Sequence, residues 1–313
     1  MILCLGPTPA CQRVMIFRKL TLDAVNRAAT TLDGAAGKSV NVAKVLKTLG
    51  ERPVATGFLG GARGEQLRAI LAAKGIEMDF ATVAPQTRQC LTIIDESAGI
   101  QTELVEESRP VAVADYEALL GVVRQRVAEC RAVIMSGTLT PGAPADFYFQ
   151  CAQLARNAGL LSVVDAQGPA LAEALKAGPD LVKPNRAELS ATVGRPLAGE
   201  PDLMAAMREL CAHGARHVVV TAGKEAALAH DGHSFWRIRS PRIVAINPIG
   251  SGDAFTAGLV WRLLRGEDLP EACRWASAAG SANALTPMPG ELDREVVERL
   301  QREVRLETVA CSQ

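Results

Sequence analysis

Short runs that are apolar at nearly every position alternate along this chain with stretches of helical period, and this alternation restricts its fold more than any single residue does. The runs are "MILCLG", "PVATGF", "AVIMSG", "LLSVVDA", "DLVKP" and "HVVVTAG". A strand with one wet face alternates apolar and polar residues, whereas a strand apolar throughout must be covered on both sides. Helical stretches at residues 64–74, 146–158 and 203–213 lie between them and can supply those covers. The pattern predicts a doubly wound, mostly parallel sheet between two helical layers, a three-layer αβα architecture. Further helices are expected at 253–265, 270–285 and 294–304. No internal repeat and no Pro/Ser linker divides the chain, so residues 1–313 are expected to form one domain.

Two segments, about 10–33 and 86–108, depart from this pattern. They contain the alternating runs "CQRVMIF", "QCLTIID" and "TELVEES", with no helix between the last two. Such runs predict antiparallel strands in a small separate sheet. Its natural position is as a lid over the strand C-termini, where open α/β sheets bind ligands.

Composition narrows the partners. Lys plus Arg and Asp plus Glu number 34 each, which leaves no basic excess for nucleic acid or an anionic membrane. Hydrophobic residues make up 48% of the chain, yet no apolar run is long enough to span a bilayer. "MILCLG" is too short, and lacks the basic flank, to serve as a signal peptide, so a cytoplasmic protein is expected. The cysteines at 4, 11, 90, 130, 151, 211, 273 and 311 include no C-x-x-C pair and sit largely in apolar patterns, as reduced thiols do. His213 with His217, and His230 with His233, have helix-like spacing but no neighbouring carboxylate or thiol cluster, so no metal site is expected there.

Two glycine turns open helices. In "DGAAGKSVNVAKVL" the ending "GKS" suggests a Walker A loop, but Leu32 stands where that motif needs its first glycine, and the preceding segment is polar. Gly37 and Lys38 therefore sit at a helix N-terminus that either receives an anion or carries a solvated lysine. In "INPIGSGDAFTAGLVWRLL", Gly250, Ser251 and Gly252 lead into a second helix with Asp253 in its first turn. That carboxylate either complements the helix dipole or accepts a proton beside amides able to hold a phosphoryl group.

These segments resemble the two signatures of the PfkB family of ribokinase-like carbohydrate kinases. "AAGKSVNVAKVLKTLG" is similar to its N-terminal signature, with Ala36 and Ser39 in place of glycines, and "PIGSGDAFTAG" to its C-terminal one, with Pro248 and Ser251 as variants. "SGTLTPGAP" and "VKPNRAEL" match two further family motifs, in order. The resemblance implies a ribokinase-like fold, ATP and Mg²⁺, with Asp253 as general base and the amides of Gly250, Ser251 and Gly252 around the transferring group. It places Lys183, Asn185, Glu188, Thr221, Gly223 and Asn283 on the nucleotide side, Glu188 reaching the metal through water. Without the family, Lys183, Asn185 and Glu188 read as a helix cap and first turn. Within the family, "GFLGGARGEQL", "VNRA" and "TR" at 87–88 resemble the branch of 1-phosphofructokinase and tagatose-6-phosphate kinase. That likeness implies a phosphorylated sugar, its phosphate clamped by Arg27, Lys38 and Arg88, with Gly37 and Asn41 also on the substrate side. A homodimer formed through the lid is compatible with this arrangement.

Departures bear on the sugar. The family's N-terminal strand ends in an Asp that binds sugar hydroxyls, whereas "TPACQ" places Thr8 and Gln12 there. An amide both donates and accepts, so Gln12 is expected to shift substrate preference. Cys90 stands where Asn is common, and Ala222 and Ala226 depart from the nucleotide-loop motif. The alternatives are a kinase of an unphosphorylated sugar or nucleoside, and a non-catalytic sugar-phosphate-binding protein on the same fold.

Overall fold

The computed structural model describes residues 1–309. Its main sheet has ten strands, in the order Arg305–Val309, Phe235–Arg239, Ala227–His230, His217–Val220, Leu181–Val182, Leu161–Asp165, Ala132–Ser136, Ile2–Leu5, Pro53–Thr56 and Glu77–Met78. From His217–Val220 to Glu77–Met78 every pairing is parallel, and the other three strands join antiparallel. The expected apolar strands form the parallel part.

Side-chain alternation divides the core into two layers. Ile2 and Cys4 face the layer that holds Val42, Leu46, Leu259 and Ala276. Leu3 and Leu5 face the layer of Leu120, Phe147, Tyr148 and Leu210. Helices Lys38–Thr48, Ser251–Leu263 and Leu269–Ala284 supply the first layer, and Val113–Arg126, Phe147–Asn157 and Glu200–Ala212 the second.

The small sheet is also present, in the order Thr30–Ala36, Ala10–Phe17, Arg88–Asp95, Ile100–Val105. One feature differs from the all-antiparallel expectation. The central pair, Ala10–Phe17 with Arg88–Asp95, is parallel, while both outer pairs are antiparallel. The two strands come from separate excursions of the chain that leave the core in the same direction. One lid face packs Val14 and Ile94 against Met288 of the core.

The C-terminal part also differs in detail. The helix expected at 294–304 ends at Leu300, and "RLETV" returns as the edge strand Arg305–Val309. The hairpin Ala227–His230 and Phe235–Arg239, closed over Asp231–Ser234, extends the same edge. Cys311 lies outside the described residues.

Candidate active site

Gly250 caps helix Ser251–Leu263 with φ +82°, and a Cβ there would come within 3.0 Å of Gly290 N, so this tight left-handed turn requires glycine. Three residues on, Asp253 is buried in the first turn. Asn41 Nδ2, from helix Lys38–Thr48, donates to Asp253 Oδ2 at 2.8 Å. Burial above all, and then the negative charge of Asp165, raise the Asp253 pKa to about 7; Lys38, Asn41 and Lys183 oppose the shift. A carboxylate of this kind is matched to taking up and releasing a proton near neutrality. Of the amides expected at the turn, that of Ser251 donates to Pro248 O. Those of Gly252 and Asp253 have no backbone acceptor among the described residues and face outward from the helix end.

Beside this turn lies a buried charge cluster. Asp165, at the C-terminal end of its parallel strand, accepts from Lys38 Nζ at 3.0 Å and from Thr256 Oγ1 at 2.9 Å, and pairs with Lys183 Nζ at 3.0 Å. Burial would raise its pKa, but the two ammonium groups outweigh burial and hold it at about 2. Lys38 Nζ also meets Glu188 Oε1 at 2.7 Å. Burial opposes the Lys38 charge, yet Asp165, Glu188 and Asp253 together raise its pKa. A Cβ on Gly252 would lie 4.0 Å from Lys183 Nζ, so an ammonium stands next to the outward-facing amides.

The helix cap expected from "KPNRAEL" is real and coexists with this cluster. Glu188 N donates to Asn185 Oδ1 at 2.9 Å and Asn185 N to Glu188 Oε2 at 2.8 Å. One Glu188 oxygen closes the capping box; the other holds Lys38. Asn185 forms a parallel bridge with Thr221. Both residues and Gly223 line an open cleft of about 600 Å³ with Arg186, Ser190 and Leu197.

On the lid side, Gln12 is buried and its Nε2 donates to Thr92 Oγ1 at 2.9 Å. The guanidinium of Arg88 donates to Thr8 O through Nε at 3.2 Å and Nη2 at 3.0 Å. Arg88, Thr8, Thr87, Ser108, Arg109 and Thr140 share the lining of one small mouth beneath the lid.

Residues 4–292 match the pfkB family of carbohydrate kinases. The chain belongs to that family. A tagatose-6-phosphate kinase of Staphylococcus epidermidis is 30% identical over 98% of this chain and 99% of its own. Phosphofructokinase-2 of Escherichia coli, solved in complex with fructose-6-phosphate, is 28% identical with a TM-score of 0.83, over 96% of this chain and 97% of its own. A solved Thermotoga maritima chain shares the fold with a TM-score of 0.91 at 24% identity, over 99% of this chain and 100% of its own.

In this kinase the structure gathers most of the expected residues but changes how several of them stand. Asp253, Asn41, Lys38, Lys183 and Glu188 form one connected group with the glycine turn. Lys38, expected beside Arg27 and Arg88, instead directs its ammonium to Asp165 and Glu188. Arg27 is exposed on the loop 18–29 and has no hydrogen-bond or ion-pair partner among the described residues. Asn283, expected at the adenine pocket, is fully enclosed. Its Nδ2 donates to Ile249 O at 2.9 Å and its Oδ1 accepts from Gly290 N at 2.8 Å, so it braces the glycine turn and has no exposed surface to offer a nucleotide. Asp165 was not among the expected site residues. Its signal was present in the sequence as the only charge in "LLSVVDA", at the strand end where α/β sheets place functional groups.

Proposed function

We propose that this carbohydrate kinase transfers the terminal phosphoryl group of ATP to a hydroxyl of a phosphorylated sugar, with Asp253 as general base. The observation that carries the reading is the buried Asp253 carboxylate, with a pKa of about 7, one residue beyond the outward-facing Gly252 amide and close to two ammonium groups. The acceptor hydroxyl gives its proton to Asp253 as its oxygen attacks the terminal phosphorus in line with the leaving ADP oxygen. Negative charge on the transferring group then meets the amides of Gly252 and Asp253 and the ammonium of Lys183, all fixed beforehand by the helix end and by Asp165. Asn185, Thr221 and Gly223 border the cleft that suits the nucleotide.

Among the described residues no group of three His, Cys, Asp or Glu side chains is arranged to hold a metal directly. Mg²⁺ binds largely through nucleotide phosphates and water, and Glu188, whose Oε1 stands 2.7 Å from Lys38 Nζ, would be the water-linked carboxylate. When bound, it would neutralise phosphate charge.

The phosphosugar acceptor is supported by the tagatose-6-phosphate kinase and phosphofructokinase-2 relatives and by Arg88, which lines one mouth together with Arg109. Arg27 would contribute only if the exposed loop folds inward or reaches a neighbouring chain. The Gln12 expectation changes: with its NH₂ donating to Thr92 Oγ1 at 2.9 Å and to Arg13 O at 3.4 Å, Gln12 has its Oε1 left to offer a substrate, so it can replace one oxygen of a carboxylate.

The lid register supports a homodimer. On the face away from Met288, Met15, Leu91 and Ile93 adjoin Leu104 and Ile100, which are 50% and 54% exposed. No helix among the described residues is long and apolar enough to cross a membrane. The seven described cysteines are free thiols, which supports a location in a reducing compartment such as the cytoplasm.

A coupled ADP-release screen over sugar phosphates, free sugars and nucleosides tests the whole reading. Turnover confined to sugar phosphates is the expected result. Turnover confined to free sugars or nucleosides would refute the acceptor class, and ligand-induced thermal shifts with no ADP release would refute catalysis.

A further inference from the structure

Lys44 carries a charge that the mechanism above does not use. It lies two turns into helix Lys38–Thr48, in "NVAKVL", and its side chain is buried to 3% exposure. Among the described residues its ammonium makes no hydrogen bond to a carboxylate. Nζ donates to two main-chain carbonyls, Ala35 O at 2.9 Å and Pro289 O at 2.6 Å. Ala35 is the penultimate residue of the lid strand Thr30–Ala36, just before the Gly37 turn, and Pro289 belongs to the loop after helix Leu269–Ala284.

The second contact reaches the reacting centre. Next to Pro289, Gly290 has φ +70°, and a Cβ there would fall 2.8 Å from Asn41 Cα. A Cβ on Gly250 would meet Gly290 N and Pro289 Cβ, each at 3.0 Å. The Pro289–Gly290 backbone is thus packed between Asn41, which holds Asp253 Oδ2, and the Gly250 turn, which sets the outward-facing amides.

We infer that Lys44 is a positioning residue for phosphoryl transfer: its ammonium ties the lid strand end and the Pro289–Gly290 turn to the helix bearing Asn41, and so holds the base and the amides in register. The inference rests on the kinase reading. Burying an ammonium costs several kcal/mol, and an apolar side chain of similar length would fill the space without that cost. What an apolar chain cannot do is bind both carbonyls, and a misplacement of about 1 Å at a reacting centre can cost on the order of 10²-fold in rate.

The surroundings make this role sensitive to pH. Burial lowers the Lys44 pKa to about 8, with Lys74 adding to the shift and Glu291 and Asp253 opposing it. Lys74 and Glu291 are themselves paired at 2.7 Å. The ammonium is present below that pKa and is lost as pH rises through it, when two charge-assisted bonds become weaker neutral ones.

The test is kcat against pH, from about pH 6 to about pH 10, at saturating ATP and sugar phosphate, for wild type, Lys44→Met and Lys44→Arg. Wild type should lose kcat as pH rises through about 8. Lys44→Met should have kcat lower by roughly tenfold or more at neutral pH, both KM values within about threefold, and no alkaline limb. Lys44→Arg, charged throughout, should keep kcat within about threefold and move the limb beyond about pH 10. A folded Lys44→Met with wild-type kcat, or the same alkaline midpoint in wild type and either variant, would overturn the inference. If Lys44→Met does not fold, the midpoints of wild type and Lys44→Arg decide. A wild type that releases no ADP refutes the kinase reading; a working wild type matched by Lys44→Met refutes only the role of Lys44.

Discussion

Replacing Asp253 by Asn should stop the kinase and stabilise it at the same time. The native pKa of about 7 stands about 3 pH units above the 3.8 of an ordinary Asp carboxyl. At roughly 1.4 kcal/mol per unit, the unliganded enzyme carries an ionised Asp253 at a cost of about 4 kcal/mol, an upper figure for a site that ligands and water can relax. The sign follows from proton binding. Between about pH 4 and pH 7 the native state holds a proton that the unfolded chain has lost, so this group's contribution falls as pH rises and levels off above about 7. An Asn keeps the shape and does not titrate. Urea unfolding of both proteins from about pH 4 to about pH 8 should therefore show the variant gaining on wild type by a few kcal/mol, the gain building up between about pH 4 and pH 7 and staying constant above. In parallel, kcat should fall by roughly 10²-fold or more, because an amide cannot accept the hydroxyl proton, while ATP affinity changes little. A stability difference flat to within about 1 kcal/mol across the window would refute the burial argument. A near-wild-type kcat would remove Asp253 from the role of base.

Arg88→Ala should raise KM for the sugar phosphate by the equivalent of about 1.5–3 kcal/mol, the scale of a charged hydrogen bond, and leave KM for ATP nearly unchanged; equal effects on both would place Arg88 outside the phosphate subsite. Thr92→Val should release the Gln12 amide and lower kcat/KM for the preferred sugar phosphate by roughly three- to tenfold, with Gln12→Leu costing at least as much. Unchanged kcat/KM in Gln12→Leu would show that the amide does not touch the sugar. Leu104→Arg, on the outer lid face, should yield a monomer in sedimentation, and a variant that sediments like wild type would argue against a lid interface.

The sequence alone determined the sheet and the two glycine turns, because both depend on local chemistry. A strand apolar throughout has to be buried on both faces wherever it ends up, and Gly250 is needed at φ +82° before a helix whatever surrounds it. The Asn185–Glu188 capping box was legible for the same reason, as its two hydrogen bonds close within four residues. The weaker hairpin and edge strands of the C-terminal region were not, since alternating strands such as Arg305–Val309 gain their identity from the neighbour they pair with. Nor could local pattern fix the parallel pairing of the two central lid strands, whose paired residues lie 78 apart, as Ala10 and Arg88 do. Motif resemblance gave Asp253 to the reacting centre, Lys38 to the sugar side and Lys183 to the nucleotide side, but only the tertiary structure placed Asp165 between the two lysines, 127 and 18 residues away in the chain from Lys38 and Lys183. A charge's partner, and with it the pKa that a mechanism needs, depends on distance and burial in space. Thus Lys38, placed beside a sugar phosphate by its motif, stands between Asp165 and Glu188, and Asn283, placed at an adenine, braces the turn that holds Asp253.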